Sequence, residues 1–148
     1  MHVVYKINSA SIEDVSLHLR RCDGEFVPCL SSRVDIDEYA VKIFERSKMY
    51  EAWSEGELLG LVAVYCNSTE RLSAFVSNVS VIPGWHRKGI ANNLINQSML
   101  EVNNLGFKSI QLEVRVENEI AISFYSKKGF TFLRRNGPYL IMNINFET

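Results

Sequence analysis

The chain has 148 residues, of which 47% are hydrophobic and 22% charged, a composition typical of globular proteins. This length predicts one domain over residues 1–148, able to bury about two-thirds of its unfolded surface. The net charge of −1 disfavours a nucleic-acid-binding protein, which normally carries a basic excess. No apolar run approaches the roughly 20 residues of a membrane span, and the first residues lack a signal-peptide core.

The cysteine pattern indicates a reducing compartment. The count is odd, and the sequence has no Cys-x-x-Cys motif and no paired histidines, so neither a disulfide framework nor a metal site is expected. A cytoplasmic protein is the simplest interpretation. The three cysteines are Cys22, Cys29 and Cys66.

The first third of the chain predicts one strand and two helices. Val3–Ile7 is β-rich, and a helix is predicted over Ile12–Cys22, after Ser11 and Asp14 at the spacing of a helix cap. A loop is expected over Gly24–Ser32. Asp35 and Glu38 mark a second cap, and the apolar residues that follow at helical spacing are Ile36, Tyr39, Ala40, Ile43 and Phe44. We expect Tyr39 and Phe44 in the core.

The rest of the chain alternates between strand and helix patterns. A hairpin turn is predicted at Glu55-Gly56 and another turn at 67–70. One helix should run from Gly89 to Leu105, and another from its cap Asn118 to Gly129. The predicted strands are Met49–Ser54, Leu58–Cys66, Ser73–Ile82, Lys108–Val116, Phe130–Arg135 and Tyr139–Phe146.

This order, β-α-α-β-β-β-α-β-α-β-β, contains one parallel step. The crossover from Ser73–Ile82 through a helix to Lys108–Val116 is expected to be right-handed. It places the N-terminus of the helix at the carboxyl end of the first strand. We therefore expect an α/β fold of mixed α+β type, with a mostly antiparallel sheet, a central parallel pair and helices on both faces.

The loop between that strand and its helix suits an anion. A strand that turns tightly into a helix directs free N–H groups and the helix dipole at one point, where a phosphate can bind. Arg87 and Lys88 add positive charge, and Gly89 lets the backbone approach a ligand without a Cβ. An alternative is that Gly89 only eases the packing of the helix.

Two segments resemble motifs of the GNAT N-acetyltransferase family. His86-Arg87-Lys88-Gly89-Ile90-Ala91 resembles its pyrophosphate loop, Gln/Arg-x-x-Gly-x-Gly/Ala, except that His86 replaces Gln or Arg. Downstream, Asn118-Glu-Ile-Ala121-Ile-Ser-Phe124-Tyr125-Ser-Lys-Lys128-Gly129-Phe130 resembles Asn-x-x-Ala-x-x-Phe/Leu-Tyr-x-x-x-Gly-Phe. The resemblance is strong over 58–132 and weak before, and it implies the GNAT-like three-layer fold with acetyl-CoA as cosubstrate and no metal.

The resemblance also implies a binding site. The pantetheine arm would lie beside Val79-Ser80-Val81, where the two parallel strands separate, and Asn118 would bind it from the other side. Asn118 could equally be a plain helix cap, or hold both roles. The cofactor-binding residues implied are Val79, Ser80, Val81, His86, Arg87, Lys88, Gly89, Ile90, Ala91, Asn92, Asn118 and Tyr125.

Tyr125 matches the family's tyrosine acid, which protonates the leaving thiolate, and a phenol with a pKa of about 10 suits that role. The alternative is an aromatic pair with Phe124 in the core. A backbone N–H near Val79–Val81 is the oxyanion candidate. The strand Ser73–Ile82 lacks the carboxylate that many family members use as a base, so Glu113 or a water chain is left for that role.

The acceptor is expected to be a primary amine of a small molecule, attacking directly in a ternary complex, with amino sugar, amino acid, polyamine and protein amine left open as its class. The residues that the resemblance places near it are Asp23, Glu25, Phe26, Arg33 and Tyr139. Each charged residue among them could instead be a solvated loop charge. A non-catalytic acyl-CoA-binding module on the same fold is the alternative function, and a homodimer is left open. Neither a nucleic acid nor a membrane is expected as a partner.

Overall fold

The computed structural model describes residues 2–26, 28–67 and 70–146. The predicted elements are confirmed, with bounds that shift by one or two residues. The helices are α1 (Ile12–Cys22), α2 (Ile36–Arg46), α3 (Ile90–Asn104) and α4 (Glu119–Lys127). The strands are β1 (Val4–Ile7), β2 (Ser47–Ser54), β3 (Glu57–Tyr65), β4 (Ser73–Val81), β5 (Ser109–Arg115), β6 (Thr131–Asn136) and β7 (Tyr139–Asn145). The predicted turn at 67–70 lies partly outside the described residues.

The strands form one sheet in the order β1-β2-β3-β4-β5-β7-β6. Every neighbouring pair is antiparallel except β4 and β5, so the predicted central parallel pair is confirmed. The connection from β4 to β5 passes through α3 and puts the start of that helix beyond the carboxyl end of β4. None of the helices among the described residues has both the length and the hydrophobicity needed to cross a membrane.

Helices cover both faces of the sheet and make three layers. Met49 packs in a cluster with residues of α1 and α2, whereas its neighbour Tyr50 packs in a second cluster with residues of α3. Successive side chains of a strand point to opposite faces, so a strand covered on both sides is buried almost continuously. This explains the unbroken burial of residues 49–52 in β2.

The caps predicted for the first two helices are present. Ser11 Oγ accepts the Asp14 N–H at 3.1 Å, and Asp14 accepts the Ser11 N–H at 2.9 Å. Asp35 accepts the Glu38 N–H at 3.0 Å. The expectation that Phe44 is a core residue is wrong, because its side chain is 42% exposed. The buried stripe of α2 is narrower than the sequence suggested and consists of Ile36, Ala40 and Ile43.

A close approach between β3 and α3 fixes the position of α3. The start of this helix and the loop before it, residues 87–92, form the candidate phosphate-binding site, called the cradle below. A Cβ added at Gly60 would lie 2.6 Å from Cγ2 of Ile90 and 3.2 Å from Cδ1 of Leu94. Real Cβ atoms do not come that close, so only glycine permits this packing distance. Gly60 therefore sets how near the first turn of α3 lies to the sheet.

Candidate active site

The two parallel strands separate at the centre of the sheet. Their register runs from the pair Ser73–Ser109 to the pair Val76–Leu112 and then stops. β4 nevertheless continues to Val81, paired with β3, and β5 continues to Arg115, paired with β7. The result is a V-shaped gap that opens between two strands of one sheet.

A β-bulge in β4 lies where the gap begins. Ala63 of β3 is opposite Asn78, and Val64 is opposite Val76, so Ser77 is an extra residue in β4. A bulge bends and twists the strand that carries it. The strand therefore changes direction immediately after its last pair with β5.

Main-chain groups of β4 face this gap. The Ile82 N–H donates to the Leu59 carbonyl at 2.9 Å, across the pair Gly60–Val81. In an antiparallel ladder this makes Val81 a non-hydrogen-bonded residue, whose N–H and C=O point away from β3. The same alternation turns the groups of Val79 toward the gap and those of Ser80 toward β3. Of the three residues predicted to line the arm, Val79 and Val81 are placed to do so through their backbone and Ser80 is not.

A cavity of about 340 Å³ occupies the gap. Its walls come from the separated strands, the start of α4 and the connection between α1 and α2. Residues that line it include Glu25, Arg33, Tyr39, Ser77, Asn78, Val79, Glu113, Arg115, Asn118, Tyr125 and Tyr139. The structure thus brings Val79, Glu113, Asn118 and Tyr125 together, although they lie far apart in the sequence.

The loop before α3 has an unusual backbone that exposes the start of the helix. Arg87 and Gly89 have φ of 62° and 79°, both left-handed. Gly89 is the N-cap residue and supplies no side-chain cap. The first hydrogen bond of the helix runs from the Asn93 N–H to the Gly89 carbonyl at 3.0 Å. The N–H groups of residues 90–92 therefore lack intrahelical partners.

Conformation, rather than packing, requires glycine at position 89. A Cβ built there would have no atom within 4 Å, apart from its chain neighbours. The alternative that Gly89 eases helix packing is therefore wrong. Its positive φ is costly for any residue with a Cβ, and the space beside it is open to a ligand.

Arg87 and Lys88 are exposed and make no ion pair within the described residues. Their charges are available to an anion at the start of α3. Lys128, the C-cap residue of α4, adds a third cation, because its Nζ donates to Oδ1 of Asn92 and to Oδ1 of Asn96, the latter at 2.9 Å. Burial lowers the pKa of Lys128.

His86 is turned toward the gap rather than the cradle. Its Nε2 lies 2.9 Å from the Val81 carbonyl oxygen, and a carbonyl only accepts, so Nε2–H is the donor. Glu25 Oε1 lies 3.4 Å from the same nitrogen. His86 therefore links the strand, the cradle loop and the connection between α1 and α2.

Tyr125 is held by aromatic packing with its hydroxyl at the cavity. Its ring makes edge-to-face contacts with Phe124 at 5.2 Å and Phe130 at 5.7 Å between centroids. Within the described residues the hydroxyl has no hydrogen-bond partner. Burial raises the pKa of Tyr125, so the phenol carries its proton at neutral pH.

Asn118 and Glu113 are the two remaining predicted residues. Asn118 Oδ1 accepts the Ala121 N–H at 3.2 Å, so the residue is a helix cap, and its Nδ2 is left to donate elsewhere. Glu113 lies on the exposed side of β5, between the buried Leu112 and Val114, and borders the cavity. Its carboxylate can reach solvent there.

A buried polar network beneath β4 was not anticipated. His18 is 1% exposed, and its Nδ1 donates to the Leu58 carbonyl at 3.0 Å. Its Nε2 lies 2.9 Å from the Ser80 hydroxyl oxygen, which also lies 2.7 Å from Asn78 Oδ1, and the single proton of that hydroxyl is donated to one of the two. Burial lowers the pKa of His18 to about 4, so the ring is neutral at pH 7. Only the position of His18 on the apolar face of α1 could have indicated this.

Burial also raises the pKa of the Cys22 thiol to about 12, which leaves it protonated and a poor nucleophile. Its Sγ lies 3.6 Å from Nε2 of His18. Cys22 is therefore part of the packing between α1 and the sheet.

Comparisons with known proteins agree with this geometry. The model of the acetyltransferase (GNAT) family matches residues 13–130. N-alpha-acetyltransferase 30 of Schizosaccharomyces pombe is 33% identical over 70 residues, which are 47% of this chain and 47% of that protein. The chain thus spans about half or less of the length of the curated relatives that it matches.

Two solved structures have a similar fold. The PaiA N-acetyltransferase of Thermoplasma acidophilum, in complex with coenzyme A, has a TM-score of 0.77 at 17% identity, over 99% of this chain and 100% of that chain. Aminoglycoside 6'-acetyltransferase type Ii has a TM-score of 0.77 at 17% identity, over 98% and 97% of the two chains. At these identities the likeness is one of fold.

Proposed function

We propose, because this chain belongs to the acetyltransferase (GNAT) family of acyltransferases, that it is an N-acetyltransferase acting on acetyl-CoA and a primary amine of a small molecule. One observation carries the proposal: a helix start whose first N–H groups lack intrahelical partners, with two cations that form no ion pair within the described residues, lies beyond the carboxyl end of β4, where β4 and β5 have separated. The gap ends beside the Tyr125 hydroxyl. That arrangement suits a long ligand with a diphosphate at one end and a thioester at the other.

The diphosphate would bind at the cradle. The N–H groups of Ile90, Ala91 and Asn92 would donate to its oxygens, with Arg87 and Lys88 as counter-charges. Lys128 would reinforce this end through Asn92. His86, which was first expected among these residues, would instead border the arm, since it already donates to Val81.

The amide-rich arm would pair with β4 as an added strand. Val79 directs its N–H and C=O into the gap and Val81 its N–H, whereas the Val81 carbonyl already accepts from His86. Backbone groups at such a place that lack a ladder partner call for another partner. Asn118 Nδ2 would donate from the opposite side while its Oδ1 keeps the helix cap. One residue would thus hold both α4 and the arm.

Transfer would proceed by direct attack of a neutral amine on the thioester carbon. The C–N bond forms, the C–S bond breaks, and the developing oxyanion would accept from a main-chain N–H at Val79. Tyr125 would give its proton to the departing sulfur. Burial that raises the pKa of the phenol also raises that of a thiolate formed beside it, because both anions lose hydration.

The proton lost by the amine needs an acceptor. Glu113 borders the same cavity and is exposed enough to pass a proton to water. It would act as the base directly or through a bridging water. Asn78, which lines the cavity and is held by Ser80, would orient such a water but could not take its proton.

Two classes of amine acceptor have support. Glu25, Arg33 and Arg115 place charges of both signs around the acceptor side of the cavity. The name of the Schizosaccharomyces pombe relative favours a second candidate, an N-terminal α-amine of a protein. The fold neighbour named as an aminoglycoside acetyltransferase supports the small-molecule amine.

Calorimetry with CoA and acetyl-CoA tests the cradle first. Thiol release is then followed with an amino sugar, spermidine, alanine amide and an alanine-led hexapeptide. Tyr125→Phe should lower turnover about 10²–10⁴-fold and leave CoA affinity within threefold, as expected for a lost general acid. Tyr65→Phe is the matched control, because the Tyr65 hydroxyl is buried, has no partner among the described residues and lies outside the cavity.

The outcomes separate the alternatives. Absence of heat with both CoA and acetyl-CoA would remove the proposal. Binding without thiol release from any amine would favour the non-catalytic module. Unchanged turnover in Tyr125→Phe would remove only the acid role, and release with the hexapeptide alone would assign a protein acceptor.

A further inference from the structure

The bulge of β4 is held by a side chain from another layer of the protein. The hydroxyl of Tyr39, in α2, lies 3.1 Å from the Ser77 carbonyl oxygen and 2.9 Å from Ser77 Oγ. A carbonyl only accepts, so the Tyr39 hydroxyl donates to it and accepts from the Ser77 hydroxyl. The carbonyl and the hydroxyl of Ser77 are thus both hydrogen-bonded to the Tyr39 hydroxyl.

Two features of the register meet at this residue. Ser77 has no opposite residue on β3, and it follows the last residue of β4 that pairs with β5. Its carbonyl would therefore be a polar group in a largely buried place without a ladder partner, which is costly. The contact with Tyr39 removes that cost in the bulged conformation only.

We infer that Tyr39 is a positioning residue that fixes the β4 bulge, and with it the opening between β4 and β5 and the aim of the Val79 main chain. This inference rests on the proposed function for its catalytic consequence, but its structural part does not. Because Val79 lies two residues beyond Ser77, a change in the bulge redirects its N–H. A shift of about 1 Å at a reacting centre can cost about 100-fold in rate.

The environment of Tyr39 keeps its hydroxyl protonated, so that it can always donate to the Ser77 carbonyl. Burial raises the pKa of Tyr39, so its proton stays in place at physiological pH. Its ring packs at the edge of the cluster that joins α1 and α2 to the sheet. Tyr39 thus connects the packing of α2 with the β4 bulge at the candidate catalytic gap. It supplies no proton to the reaction itself.

The test compares Tyr39→Phe, Ser77→Ala and the double variant with Tyr65→Phe. Tyr39→Phe keeps the ring and loses the hydroxyl, and Tyr65→Phe loses a buried hydroxyl that contacts no partner among the described residues. Turnover is measured at saturating acetyl-CoA with the amine of the panel that the wild type uses fastest. CoA affinity is measured by calorimetry, and amide hydrogen exchange is followed at residues 77–79.

We expect Tyr39→Phe to lower turnover at least tenfold while the dissociation constant of CoA changes less than threefold, because the cradle lies elsewhere. Exchange at Asn78, whose N–H faces β3 next to the bulge, should rise at least tenfold in Tyr39→Phe and not in Tyr65→Phe. The double variant should be no slower than Tyr39→Phe alone, since both substitutions break one contact.

Wild-type turnover together with wild-type exchange in Tyr39→Phe would overturn the inference. Effects of Tyr39→Phe and Ser77→Ala that multiply would also overturn it, because Tyr39 would then act on the acceptor and not through Ser77. If the wild type neither binds CoA nor releases thiol, the proposed function fails. Exchange at Asn78 then still decides whether Tyr39 holds the bulge.

Discussion

Replacing His18 with glutamine should flatten the acid side of the stability curve of the protein. His18 is buried and neutral in the folded state, with a pKa lowered from 6.5 to about 4. The unfolded chain, whose histidine keeps the ordinary pKa, therefore binds a proton first as the pH falls. Proton binding favours the unfolded state, so stability rises with pH across this range.

The magnitude follows from the two pKa values. The contribution of His18 is fully present above about pH 6.5 and is lost as the pH falls toward 4. Each unit of difference between the folded and unfolded pKa values corresponds to about 1.4 kcal/mol. The free energy of unfolding therefore falls by about 3 kcal/mol between pH 7.5 and pH 4 on account of His18. This is a large fraction of the 5–15 kcal/mol that is typical of domains, so it should be easy to measure.

The assay is urea unfolding at several pH values between 7.5 and 4, followed by tryptophan fluorescence. Urea keeps the ionic strength constant, and the change in free energy with pH is compared between variants, so that titrating carboxylates cancel. The wild type should lose about 3 kcal/mol more than His18→Gln over this interval. His2→Gln, at an exposed histidine outside the network, controls for the substitution itself.

Parallel curves for the wild type and His18→Gln would refute the assignment of a neutral buried ring. A histidine ring signal of His18 that titrates near 6.5 in the folded protein would refute it independently. Either result would mean that the ring carries charge or has access to water, so that the contacts to Leu58 and Ser80 would not hold as described.

Three further substitutions test the packing and the cradle. Gly60→Ala would place a Cβ 2.6 Å from Ile90 and should lower the free energy of unfolding by about 1–3 kcal/mol in urea; a change under about 0.5 kcal/mol would show that α3 moves away freely. Gly89→Ala should weaken CoA binding at least tenfold by calorimetry. The control is Gly56→Ala, because Gly56 has a φ of 78° and equally open surroundings; it should lose about 1 kcal/mol of stability without a change in CoA affinity. Equal CoA affinities of the two variants would refute the cradle. Tyr50→Phe should keep or raise the free energy of unfolding by up to about 1 kcal/mol, because its buried hydroxyl has no partner among the described residues; a loss above about 1 kcal/mol would reveal one.

Local patterns predicted the elements because their causes are local. The capping box of Ser11 and Asp14, the alternation in β5 and the Gly89 N-cap each involve residues a few positions apart. Such contacts form within one element and leave their period in the sequence. Phe44 shows the limit of such patterns. Helical spacing predicts which face of a helix is buried, but not how wide a part of that face the neighbouring layer covers.

Sequence motifs also located both ends of the candidate site, at residues 86–92 and 118–130. They could not show that His86 turns to Val81 and Glu25, or that Lys128 reaches Asn92, because each of these contacts joins residues from different elements. The networks of His18 with Ser80 and of Tyr39 with Ser77 span 62 and 38 positions. Neither residue of such a pair has a sequence signal nearby that identifies its partner.

The sequence by itself determined which segments become helices and strands, their order, and where a free helix start carries positive charge. Only the tertiary structure decided the bulge at Ser77, the separation of β4 from β5 and the neutral state of the His18 ring. These depend on how layers pack and on which groups burial removes from water. Both are properties of the assembled fold, because desolvation and steric contact act between residues that the chain brings together only when it folds.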